Sequence, residues 1–212
     1  MINPEYIFLY RLLHWENVEH VLLHGLCCRE HPLTDPNYIN IGHRKLISDR
    51  HAHLIPIPNA GVLGEYVPFY FAGHSPMLFL IMNGHKGVTQ IPQSELVYIV
   101  VSFKKIKGHN LDFVFTDRNA KIAVANFYNS ESDFDKILWD IVKNKNWQND
   151  AENLARRDLK QAEFLVRGHV PISCIEGIVV KTEEKKLHFE ALIKNLGLDI
   201  VVKQDISSKL YY

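Results

Sequence analysis

Apolar positions along this 212-residue chain change period several times, and the changes predict a mixture of short strands and helices. Over residues 14–24, Val18, Val21 and Leu22 fall at helical spacing, continued by Leu26, with Asn17 and Gly25 near the two ends. That predicts a first helix. Residues 29–59 are polar, carry Pro32, Pro36, Pro56 and Pro58, and lack periodicity, leaving room for at most a short helix over 44–50. Loops of this length in compact domains commonly carry function. Tyr66-Val67-Pro68-Phe69-Tyr70-Phe71 predicts a strand beside a site, and Pro68, which cannot donate to a ladder, predicts an edge or a bulge there. Ser75 and Pro76 suit the N-cap and first turn of a helix over 77–82 that Gly84 ends.

Residues 96–103 are rich in β-branched and aromatic residues, as in a buried central strand, and 112–116 predict another short one. Over 133–143, Phe134, Ile137, Leu138 and Ile141 share one face of a predicted amphipathic helix. Three further strands are expected at 164–166, 177–181 and 198–203, with a helix over 183–196 between the last two. No regular strand–helix alternation links these elements, so the pattern favours α+β over a doubly wound sheet.

No repeat or linker divides the chain, and its length fits one domain over residues 1–212. With 24 Lys+Arg against 24 Asp+Glu the net charge is zero, so no global field draws the protein to a polyanion, and any nucleic-acid contact must be local. The 3 Cys are odd in number, and Cys27 and Cys28 are adjacent, which disfavours a relaxed disulfide and predicts a reducing compartment. No apolar run approaches the roughly 20 residues of a membrane span, and no signal-like segment opens the chain, so a cytoplasmic protein without membrane association is expected.

Several candidate chemistries fail on spacing. His20 with His24, and His51 with His53, resemble metal-ligand pairs, yet no carboxylate or Cys completes them and 12 His make such pairs common by chance. No metal is expected. Gly61 to Gly64 precede a strand and do not join a strand to a helix, which excludes a dinucleotide-binding hydride-transfer site. Glu163 opens an apolar strand, where a charge is costly unless it has a partner or lines a cleft. Local basic clusters occur at Arg44-Lys45, at Lys104, Lys105 and Lys107, and at Arg156, Arg157 and Lys160 with Arg167. Such clusters beside aromatic rings can hold single-stranded nucleic acid, and Trp147 is the large aromatic nearest the last cluster.

Five separated segments carry a resemblance: Tyr10-Arg11-Leu12-Leu13-His14, Gly61 to Phe71, Ser75-Pro76-Met77-Leu78, Phe113-Val114-Phe115-Thr116-Asp117 and Gln161-Ala162-Glu163-Phe164-Leu165-Val166. In that order they resemble the DarT family of bacterial DNA ADP-ribosyltransferase toxins. The resemblance implies the ADP-ribosyltransferase fold, a split β-sheet core with flanking helices, and NAD+ as co-substrate for modifying a base in single-stranded DNA. Thymidine is the expected acceptor. Guanine, RNA or protein acceptors, and a catalytically silent single-stranded DNA-binding module, are the alternatives. By family position Glu163 is the catalytic carboxylate, which would orient the scissile ribose and stabilise an oxocarbenium-like charge. Arg50 matches the second catalytic residue. A guanidinium with a pKa above ~12 is a poor base, so polarising a thymine carbonyl or gripping NAD+ is its physically easier role. The resemblance further implies NAD+ contacts at His14, Asn17, Tyr70 and Ser75, DNA contacts at Arg118 and Asn119 beside those of Arg156, Arg157 and Lys160, and a macrodomain antitoxin as partner.

Overall fold

The computed structural model describes residues 2–212, with the side chains of all of these except Arg44 and Leu46. The strands are β1 (Phe8–His14), β2 (Leu26–Cys27), β3 (Tyr66–Tyr70), β4 (Leu96–Ser102), β5 (Phe113–Thr116), β6 (Phe127–Tyr128), β7 (Glu163–Arg167), β8 (His169–Val170), β9 (Ile175–Val180) and β10 (Val201–Gln204). The helices are α1 (Val18–His24), α2 (Arg44–His51), α3 (Pro76–Asn83), α4 (Phe103–Gly108), α5 (Trp139–Lys143), α6 (Arg156–Leu159) and α7 (Glu183–Leu196). Eight strands form one sheet in the order β10-β9-β4-β1-β3-β7-β5-β6, while β2 and β8 pair separately. The expected α+β class with a large sheet and flanking helices is what the chain adopts.

The sheet is two half-sheets that meet at a narrow seam. β1 runs antiparallel to β4 from Phe8↔Ser102 to His14↔Leu96, and β3 runs antiparallel to β7 from Tyr66↔Arg167 to Tyr70↔Glu163. Between β1 and β3, Tyr10↔Tyr70 is the one registered pair among the described residues. Pro68 therefore sits inside the strand order, not on the outer edge that its chemistry suggests, because the seam serves as an internal edge. Its carbonyl faces β1, where Arg11 Nη1 donates to it at 3.2 Å, so the missing N–H faces a gap in the ladder and costs no strand pairing.

Directly opposed residues of antiparallel strands share a face, so Tyr10, Tyr70 and Glu163 stand together across the seam. His14 shares that face by the period-2 alternation of β1. The opposite face carries the main core, in which Phe71, Phe103, Phe115, Phe134 and Phe164 pack with mutual ring centroids of 4.6 to 6.4 Å. Burying each such ring contributes about 1.5–3 kcal/mol, which makes this face the rigid floor of the seam. On the seam face two smaller clusters lie apart: Leu12, Leu78, Ile81 and Tyr98 on one half-sheet, and Ile55, Leu63, Tyr66 and Leu165 on the other.

Two predicted elements differ from the structure, and one strand was not predicted. Residues 14–17 end β1 and form a 3-10 turn, Trp15–Asn17, before α1, because His14 pairs with Leu96 in the ladder. The helix expected over 133–143 divides into a 3-10 stretch, Glu131–Lys136, and α5, with Ile137 extended and Leu138 outside helical geometry. Packing Phe134 under Phe103 and Phe115 requires that break. β1 itself, though apolar and β-branch-poor, is a full central strand. By contrast, α3 has Ser75 as N-cap and left-handed Gly84 as its C-cap, and α7 spans the expected residues.

Candidate active site

Glu163 opens β7 at the seam and is 3% exposed. Burying a carboxylate is unfavourable by several kcal/mol unless it is paired and hydrogen-bonded. Here Arg50 supplies a two-pronged partner: Nη1 donates to Oε1 at 3.0 Å and Nη2 to Oε2 at 2.5 Å. The Ala120 N–H adds a third donation, to Oε1 at 3.1 Å. A carboxylate has about four lone-pair sites, so these three donors leave one further site, on Oε2. The strand entry is fixed in turn by Thr116, whose Oγ1 accepts from Glu163 N–H at 3.1 Å and donates to the Arg118 carbonyl at 2.6 Å.

Arg50 reaches this point from the long polar segment, at the far end of α2. That helix is laid over the start of β3 by a small hairpin in which Leu63 N–H donates to His53 O at 2.9 Å and Ile55 N–H to Gly61 O at 3.0 Å. Gly64 makes the approach possible, since a Cβ there would meet the His51 carbonyl oxygen at 2.6 Å. Burial alone would lower the Arg50 pKa. The charge and hydrogen bonds of Glu163 outweigh it and raise the value, so the guanidinium is permanently charged.

Tyr70, opposite Glu163, has its phenol pKa raised first by burial and then by the Glu163 charge, so it is a neutral hydroxyl at any physiological pH. Its hydroxyl makes only a weak contact, to Met77 Sδ at 3.7 Å, and its ring faces the seam beside Tyr10. His14, also half-buried, uses Nδ1 to accept from Glu16 N–H at 3.4 Å. The seam thus joins His14, Tyr70, Glu163 and Arg50, residues separated by up to 149 positions in sequence.

Two residues expected at NAD+ have structural partners of their own. Asn17 is 2% exposed, and its side-chain amide forms a closed pair with the backbone of Ile39, at 2.8 and 2.9 Å. It holds the 29–59 segment, with one N–H and the carbonyl oxygen of its amide engaged on Ile39. Ser75 is equally buried, with Oγ accepting the Leu78 N–H at 3.1 Å as the cap of α3.

The basic residues expected at DNA are gathered near β7 with unequal freedom. Lys160 is corrected: it is 4% exposed, and Nζ donates to the carbonyls of Val142 and Asn144 at 2.6 and 2.8 Å, an internal strut whose pKa burial lowers to about 8. Arg156 pairs with Asp150 at 2.7 Å, and Arg118 with its neighbour Asp117 at 3.2 Å. Asn119 bonds Gln161 at 3.3 Å, and Arg157 lies 5.9 Å from the Trp147 ring centroid. Lys107 and Arg167 pair with Glu131 and Glu65, away from the seam. The Arg44 side chain lies outside the described residues. Among those residues, no group of three or more His, Cys, Asp or Glu is placed to hold a metal ion. Sequence reasoning missed the Thr116 hydroxyl and the Ala120 N–H; the only signal was a polar residue closing the apolar run Phe113-Val114-Phe115.

A split sheet with a buried, bidentately held glutamate at the seam defines an ADP-ribosyltransferase, an enzyme class that takes ADP-ribose from NAD+. Residues 10–212 match the family described as ssDNA thymidine ADP-ribosyltransferase, DarT. The chain belongs to the DarT family and is an NAD+-dependent DNA ADP-ribosyltransferase. It is 35% identical over 201 residues to the DNA ADP-ribosyl transferase of Escherichia coli O127:H6, spanning 94% of this chain and 92% of that protein. It is similar to the solved structure of Thermus sp. 2.9 DarT in complex with ADP-ribosylated ssDNA, at 28% identity and a TM-score of 0.88, covering 100% of this chain and 99% of that one. The same Thermus protein in complex with NAD+ matches with a TM-score of 0.83 over the full length of both chains.

Proposed function

We propose that this protein is the toxin of a toxin–antitoxin pair, a single catalytic domain that transfers ADP-ribose from NAD+ to the base of thymidine in single-stranded DNA. The observation that carries the reading is the Arg50–Glu163 fork, buried at the seam with one further lone-pair site on Oε2. Glu163 accepts from a hydroxyl of the nicotinamide-side ribose and steadies positive charge as the C1′–nicotinamide bond breaks, the electron pair leaving on nicotinamide. A thymine ring nitrogen forms the new bond to C1′, and its proton passes to Glu163 or to water. Arg50 holds the carboxylate in place through its two donations, and its remaining N–H groups face the acceptor carbonyl. Tyr70 stacks on nicotinamide, and His14 Nε2 meets the adenosine-side ribose. Arg118, Asn119, Arg156 and Arg157 border the strand path. The family likeness supports a macrodomain antitoxin that removes the mark and a cytoplasmic site of action.

Base chemistry at a ring nitrogen requires an edge free of Watson–Crick pairing. A single-stranded oligonucleotide should therefore gain one ADP-ribose per enzyme-accessible thymidine, while the same sequence annealed to its complement reacts far less. An oligonucleotide carrying N3-methylthymidine should not react. Equal labelling of single strand and duplex, or labelling of the methylated base, refutes the assignment.

A further inference from the structure

Three half-buried aromatic rings meet beside the segment that leads into Glu163. Trp147 and Phe79 lie with centroids 5.3 Å apart at 64°, and Phe79 and Tyr212 at 5.8 Å and 73°. The Trp147 indole Nε1 donates to Tyr212 Oη at 2.5 Å, and that hydroxyl lies 2.9 Å from the His74 carbonyl oxygen and 3.2 Å from that of Ser75. The group is therefore braced from below while its ring surfaces keep contact with solvent. Arg157 flanks Trp147 with its guanidinium 5.9 Å from the centroid.

Two short routes tie these rings to the catalytic seam. Along α3, Ser75 lies two residues before Met77, whose Sδ meets Tyr70 Oη at 3.7 Å, and Tyr70 stands opposite Glu163. Along α6, Gln161 Nε2 donates to the Arg157 carbonyl at 3.0 Å, two residues before Glu163. The Lys160 strut to Val142 and Asn144 fixes the chain that runs on to Trp147. A buried cation holding two carbonyls near the half-buried indole makes Trp147 a placed residue, not a loose one.

We propose that Trp147 and Phe79, with Arg157, form a stacking platform for one nucleotide flanking the target thymidine; this rests on the single-stranded DNA reading above. A protein with zero net charge cannot rely on general phosphate attraction, so affinity for a flexible strand must come from few, local contacts. Stacking on an indole supplies one that tolerates any base, because every base has a π-face. Arg157 then contributes a cation beside the stacked base or its phosphate. The platform fixes how far along the strand the target thymidine lies from an anchored neighbour, and so presents its free edge to the seam.

The test is an abasic scan. In an oligonucleotide with one thymidine, each flanking nucleotide is replaced in turn by an abasic unit, and the oligonucleotide KM is measured by mass-resolved transfer. The wild-type enzyme should show one position at which base removal raises KM by about tenfold, the size of a lost base–aromatic stack. Trp147→Ala should raise KM for the intact oligonucleotide by a similar factor, and the sensitive position should then add less than about twofold, since both changes delete the same contact. Trp147→Phe, which keeps a ring, should restore most of the loss. A flat scan with the wild-type enzyme, or the same abasic penalty in wild type and Trp147→Ala, overturns the platform. An enzyme that labels no intact oligonucleotide refutes the transferase reading itself and the platform with it, whereas labelling with a flat scan refutes the platform alone.

Discussion

At the scale of single residues, the pairing of Arg50 with Glu163 decides what each can do. Arg50 binds the carboxylate through two parallel donations, a geometry that the compact ammonium of Lys cannot copy. Arg50→Ala leaves Glu163 buried without its counter-charge and should lower stability by about 3 kcal/mol, the low end for an orphaned buried ion because water can enter from the seam. DNA labelling should fall to background in Arg50→Ala and should not return in Arg50→Lys, measured together with the shift in denaturation midpoint. Full labelling by Arg50→Lys would show that charge alone suffices. The Glu163 and Tyr70 positions were legible from the segments that contain them, since a carboxylate entering an apolar strand and an aromatic beside a proline both ask for a reason. What sequence could not show for Asn17 and Ser75 is their structural work: both carry ligand-type groups, and the backbone of Ile39 and of α3 engages those groups. Lys160 was misjudged, because a charge cluster in sequence does not reveal which member turns inward.

At the scale of elements, the segment over 29–59 acts as an arm that carries α2 and Arg50 to the seam. One of its attachments is the Asn17 clasp on Ile39, two hydrogen bonds that each contribute about 1 kcal/mol net. Asn17→Ala should therefore leave the sheet intact but loosen the arm, read as faster backbone amide exchange over α2 and a lower rate of transfer with unchanged protection in β4. Unchanged exchange over α2 would show that the hairpin at residues 53–63 suffices to hold Arg50. Elements whose ends carry their own chemistry were readable from sequence: Ser75 and Gly84 bound α3, and α7 runs from a Thr182 cap to left-handed Gly197. Elements shaped by distant partners were not. β1 is a strand because β4 lies along it, and the helix expected through Ile137 breaks because Phe134 must enter the ring stack beneath β5 and β7. Nor does local pattern disclose the seam, which exists only in the pairing of strands far apart in the chain.

At the scale of the whole molecule, two half-sheets joined at Tyr10↔Tyr70 carry a rigid aromatic core on one face and the Arg50–Glu163 pair on the other. Neutral net charge suits an enzyme that must find an unpaired base by local contacts and not coat nucleic acid at large. All the proposed chemistry passes through one carboxylate, Glu163, which the strand register sets opposite Tyr70, whereas water or another nucleophile can replace the acceptor. Glu163→Gln keeps the side chain's shape, and its one carbonyl oxygen can still accept from Arg50 Nη1 and Ala120, though its amide nitrogen replaces the acceptor of Arg50 Nη2, so folded content must be matched. The most direct measurement is the intact mass of a single-thymidine oligonucleotide after incubation with NAD+ and either wild-type or Glu163→Gln protein of equal folded content. The account predicts one added ADP-ribose with the wild-type enzyme and none with Glu163→Gln; an ADP-ribose adduct formed at the wild-type rate by Glu163→Gln would contradict it.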